Sequence, residues 1–167
     1  MNAALNNWID LLRMEQREAD LFLTEVTAQF NGIVERNAAR IFESIRKQQL
    51  IAVRLTGIQR HRDMRQREVS LSLGLSETRS VTDIVEHLSE EDRPIVVNLA
   101  RSIKAAASQS RVKLRQNQLL MSLSMEQLQQ VIRAVSPKAI NVNTYGSKGD
   151  KRFGAPAHVV SRWQVSI

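Results

Sequence analysis

Apolar residues recur at three- and four-residue steps along most of this 167-residue chain. Between residues 3 and 30 they fall at Leu5, Trp8, Leu12, Ala19, Leu23, Val26 and Phe30, one stripe of an amphipathic helix. Asn31-Gly32 reads as a break. The steps resume at Val34, Ala38, Ile41, Ile45, Ala52 and Leu55, and again at Val69 and Leu73. Gln48, Gln59, Arg62 and Gln66 lie between them and keep the heptad phase although they are polar. The pattern predicts a long helix over 33–73, about 60 Å at the usual rise per residue. A helix that long in a small protein needs a partner along its length, which implies coiled-coil pairing. Gly74 can end it.

Ser80 followed by Asp83 is a capping-box variant, opening a short helix to about Leu88. Pro94 is tolerated only in a first turn, so the next helix begins at 90–92. It runs to about Val135, where Ser136-Pro137 stops it. Its early stripe is Val96, Leu99, Ile103 and Ala106. Its late stripe is Leu114, Gln118, Met121, Met125, Leu128, Ile132 and Val135, in strict alternation of four and three. Leu120, Leu123 and Val131 lie off that stripe and exceed what one seam buries. They fit either a wider core shared with the short helix or a second apolar face for an outside helix. Met121 and Met125 suit an adaptable surface, because an unbranched thioether repacks easily. The remainder, with Gly146, Gly149, Gly154 and Pro156, has no helical period and is expected to be mobile. The expected fold is all-α. Residues 1–136 form a coiled-coil-like bundle of long antiparallel helices with one short helix, and residues 137–167 a flexible basic tail.

Composition agrees with that picture. Apolar residues make up 43% of the chain but aromatics only 4%, so the buried surface is aliphatic and suits helix packing. The absence of cysteine excludes disulfides, thiolate metal sites and cysteine nucleophiles. Apolar runs are too short to cross a bilayer. The start, "MNAALNNWIDLLRMEQRE", lacks a basic segment followed by a long apolar run, so no signal peptide is expected and a cytoplasmic protein is the simplest reading. The net charge is +7, and residues 46–67 hold seven basic side chains against Asp63 alone. That is either a nucleic-acid footprint or a solvated helix face. His61, His87 and His158 lie far apart with no second ligand at metal spacing. "GSKG" lacks the spacing and the preceding strand of a phosphate loop. Neither an enzyme nor a bound cofactor or metal is expected.

Taken together, several stretches resemble the flagellar export chaperones of the FlgN family. They are "WIDLLRMEQREADLF" in the first helix, "IRKQQLIAVRLTGIQRHRDMRQRE" in the second, and "KLRQNQLLMSLSMEQLQQVIRAVSP" in the last. In the last, Asn117, Leu120 and Met121 stand like the family's Asn-x-x-Leu-Leu. "TYGSKG" looks like its Tyr-Gly-x-x-Gly, and "VSI" is similar to its apolar endings. The resemblance implies a cytoplasmic chaperone that holds hook-associated (hook-filament junction) proteins by a helical segment and delivers them to the cytoplasmic domain of the export gate. Carried over residue by residue, the cargo surface is Leu114, Asn117, Leu120, Met121, Leu123, Met125, Leu128, Val131, Ile132 and Val135. The gate contact is Tyr145 with Gly146 and Gly149. Tyr145, the single tyrosine, pairs an apolar ring with a polar hydroxyl and suits an interface anchor; the alternative is that the tail folds back and Tyr145 covers the bundle. Two rival functions stay open: a basic helical nucleic-acid-binding protein, and a structural coiled-coil scaffold. Self-association is compatible with all three.

Overall fold

A computed structural model describes residues 3–76 and 80–135. They form four helices: α1 Ala3–Val34, α2 Ala38–Ser72, α3 Val81–Glu86 and α4 Asp92–Val135. No strand occurs among the described residues, and the fold is all-α. The short helix opens as its sequence dictates. The Ser80 hydroxyl accepts from the Asp83 backbone N–H while the Asp83 carboxylate accepts from the Ser80 N–H. Residues 136–167, including the expected tail, lie outside the described residues.

The turn between α1 and α2 falls later than Asn31-Gly32. α1 runs through both residues, and the chain reverses at residues 35–37. Three local devices put it there. Arg36 takes the left-handed backbone conformation at φ 54°. The Asn37 side chain caps α2 by accepting from the Arg40 N–H. Arg40 also reaches back to both carboxylate oxygens of Glu35, at 2.8 and 2.7 Å. Gly32 has a different use: a Cβ there would lie 3.1 Å from Ile41 Cγ1, so its missing side chain lets α2 start close against α1.

α1 is the central element. α2 and α4 both pack along it and approach each other little. One apolar cluster joins the start of α1 (Leu5, Trp8, Ile9, Leu12) to Val69 of α2, to Val81 and Ile84 of α3, and to Val96, Ala100 and Ile103 of α4. A second joins Ala19, Phe22 and Val26 to Ile51, Ala52 and Leu55 of α2 and to Ala106 and Ala107 of α4. Early α1 therefore meets early α4 and late α1 meets later α4, so these two helices run parallel and α2 runs against both. Trp8 is fully buried, and removing its side chain would cost about 3–5 kcal/mol.

Two polar layers interrupt the core. Between the clusters, the buried carboxylate of Glu15 accepts from Arg62 and Gln59 of α2. Beyond the second cluster, Gln29 Oε1 accepts from Gln48 Nε2 on α2 at 3.1 Å and from Asn117 Nδ2 on α4 at 3.0 Å. That oxygen ties the three long helices together. Paired polar groups within an apolar seam fix the register of the helices, since a slip would leave each of them unsatisfied. These layers explain why Gln48, Gln59 and Arg62 keep the heptad phase. Gly57 of α2 has no such explanation. It sits mid-helix and exposed, and beyond its own stretch of helix backbone no described atom lies within 4 Å of where a Cβ would stand, although glycine costs a helix about 1 kcal/mol relative to alanine.

Candidate functional site

The surface of interest is the far end of α4. Its inward-facing positions run Ile103, Ala106, Ser110, Leu114, Asn117, Met121, Met125, Leu128, Ile132 and Val135, spaced by three or four residues throughout. At about 100° per residue this is one continuous seam. The first half lies against α1. At the level of Gln29, Asn117 is buried and donates to Val26 O at 3.1 Å as well as to Gln29. From that level α1 has five residues left before it ends at Val34. α4 therefore outruns α1 by about 13 residues, about 20 Å.

Past this point the seam continues with no described residue opposite it. Every residue from 121 to 135 is exposed, and the large apolar ones range from 40% at Met121 to 76% at Val135. The predicted cargo residues consequently fall into two groups. Leu114 packs half-buried against the second cluster, Asn117 is buried in the polar layer, and Leu120 is half-buried at the edge. Met121, Leu123, Met125, Leu128, Val131, Ile132 and Val135 stand in solvent. Leu119 and Leu123 point away from the seam, so apolar surface occurs on both sides of the tip. Beside the base of the tip, Lys113 Nζ lies 5.4 Å above the Phe30 ring, a cation–π contact that braces α4 on α1.

Of the two readings of the surplus apolar residues, the wider core with the short helix is excluded. α3 packs at the opposite end of the bundle, against Leu5 to Leu12 of α1 and the start of α4. The off-stripe residues Leu123 and Val131 are exposed and touch no core. Tyr145, Gly146 and Gly149 lie outside the described residues.

The basic run of α2 is largely engaged with carboxylates. Arg54 bonds Glu18 at 2.9 Å, Arg62 bonds Glu15 at 2.9 Å, Lys47 lies 3.7 Å from Glu25, and Arg65 bonds Glu68 at 2.6 Å. Arg46 makes a two-point contact with Glu43, and that hydrogen bond, ahead of simple attraction, holds the Glu43 carboxyl below its usual range. With the cations distributed around the helix and most of them paired, duplex DNA or RNA should bind weakly. At physiological salt the dissociation constant is expected to be weaker than about 1 μM. Fluorescence anisotropy with a labelled duplex checks this, and tighter binding with a steep salt slope would restore the nucleic-acid reading. No helix among the described residues is long and apolar enough to cross a membrane. No group of three or more His, Asp or Glu able to hold a metal occurs among them.

Comparison with known proteins agrees with the early resemblance. The profile of the family described as FlgN protein matches residues 1–152. No curated protein and no solved structure matches the chain significantly.

Proposed function

The chain belongs to the FlgN protein family, which implies a flagellar export chaperone, and from that premise we propose that it works in the cytoplasm, holding a hook-associated protein on the free end of α4. One observation carries this reading: the core-facing seam of α4 continues about 20 Å beyond the helix that covers it. Apolar side chains at 121, 125, 128, 132 and 135 offer the ladder of anchors by which one amphipathic helix takes another. A secreted helical segment laid against it keeps its own apolar face out of water and cannot assemble early. No covalent chemistry is required; binding and release are enough.

Delivery is assigned to the segment after α4. Tyr145, flanked by Gly146 and Gly149, is the proposed contact with the cytoplasmic domain of the export gate. Cargo holding and gate docking then use separate parts of the chain, and two substitutions should separate them. Leu128→Asp should weaken cargo affinity, while Tyr145→Ala should leave cargo affinity and melting temperature unchanged yet lower both export and binding to the gate domain. Early melting of Tyr145→Ala would make the tyrosine a packing residue. Normal export by that variant would remove its docking role.

A further inference from the structure

α2 presents a second seam, on the side away from α1. Phe42, Arg46, Gln49, Val53, Gly57, Arg60, Met64, Arg67 and Leu71 follow one another at three- or four-residue steps, and all are exposed. The row spans about 44 Å. It lies nearly opposite the buried positions Ser44, Gln48, Ile51, Leu55 and Val69, so it has no part in the bundle. Its composition is unlike an ordinary solvated face. Phe42 is 72% exposed and Val53 73%, and Met64 and Leu71 are each more than half exposed. The polar positions between them carry only positive charge. Arg46 is paired with Glu43, but Arg60 and Arg67 have no carboxylate partner among the described residues, in contrast to the cations on the flanks of the helix. Gly57 lies near the middle of the row, and nothing among the described residues calls for a glycine there. A residue without a side chain on an outer seam is what a second backbone needs in order to come close.

We propose that the outer face of α2 docks an acidic amphipathic helix of a partner protein, with the partner's apolar residues against Phe42, Val53, Met64 and Leu71, its carboxylates at Arg60 and Arg67, and its closest approach at Gly57. Charge complementarity selects this occupant. A second copy of the same face would set arginine against arginine. A membrane surface needs a broad apolar face, whereas the row has one large apolar side chain per two or three turns. The seam is separate from the end of α4 and does not depend on what that end holds.

The test uses the full chain and two synthetic 28-residue helical peptides with leucine at the seam positions, one carrying glutamate and the other lysine beside them. The glutamate peptide should bind, more weakly as salt rises, and the lysine peptide at least tenfold less well. Arg60→Glu with Arg67→Glu should lower affinity for the glutamate peptide at least tenfold. Gly57→Gln should also lower it while raising the melting temperature, which separates a blocked approach from a damaged fold. Leu128→Asp should leave it unchanged. Equal binding of both peptides, indifference to the α2 variants, or loss with Leu128→Asp would overturn the proposal. So would preference for phosphatidylserine vesicles over the peptide, or self-association abolished by the arginine substitutions.

Discussion

Replacing Glu15 with alanine should destabilise the bundle by about 3–5 kcal/mol, the largest effect expected of any polar substitution in the chain. Glu15 is fully buried. Its carboxylate accepts two bonds from Arg62 Nη1, at 2.9 and 3.1 Å, and one from Gln59 Nε2 at 3.1 Å. The alanine variant loses those bonds and leaves the guanidinium of Arg62, itself only 11% exposed, in a largely dry interface. Asp63, exposed, still holds the other side of that guanidinium at 2.8 Å and moderates the loss. The melting temperature should fall by roughly 10 °C or more, and urea unfolding should show the loss in its midpoint with an unaltered slope. The ion pair is a register device more than a source of stability. Glu15→Leu combined with Arg62→Met should therefore recover most of the lost stability, because an apolar pair fills the layer without desolvating charge. A fall below about 1 kcal/mol for Glu15→Ala would show that the layer is wet and the pair solvated.

Leu128→Asp and Met125→Asp should each weaken the cargo complex by about a hundredfold or more, near 2.7 kcal/mol. Both side chains are more than half exposed in the free chain. Thermal stability should therefore stay within about 0.5 kcal/mol of the parent. In the complex the new carboxylate would lie against an apolar partner, and desolvating it without a counter-charge sets the loss. The same change at Leu123, on the far side of the tip, reports the width of the contact. A small effect there means that cargo lies along the seam alone, and a comparable loss means that it wraps the tip. Titration calorimetry against the helical end of a hook-associated protein, beside thermal melts of each variant, makes the comparison. An unchanged affinity would remove the tip from cargo binding. A drop of several degrees in melting temperature would mean that the tip packs on part of the same chain.

Much of this was legible in the sequence, because helical periodicity is local physics. A side chain that must leave water dictates its neighbours at three and four residues, so Leu5, Trp8, Leu12, Ala19 and Val26 declare the buried face of α1 unaided. The Ser80–Asp83 capping box and the span of α4 are local in the same sense. Even Gln48 and Arg62 betrayed their place by holding the phase. The remaining features depend on partners distant in sequence. Gly32 looked like a break, yet it is a point of close approach, which only the position of Ile41 could reveal. Asn117 looked like part of a cargo motif, and its amide closes a layer with Gln29 and, through Gln29, with Gln48. The free end of α4 was hidden most completely. Its stripe reads identically before and after residue 121, since periodicity records which face is apolar and not what covers it. Only the parallel register of α4 on α1, and the point where α1 stops, decide that the first half of the seam is core and the second half is surface.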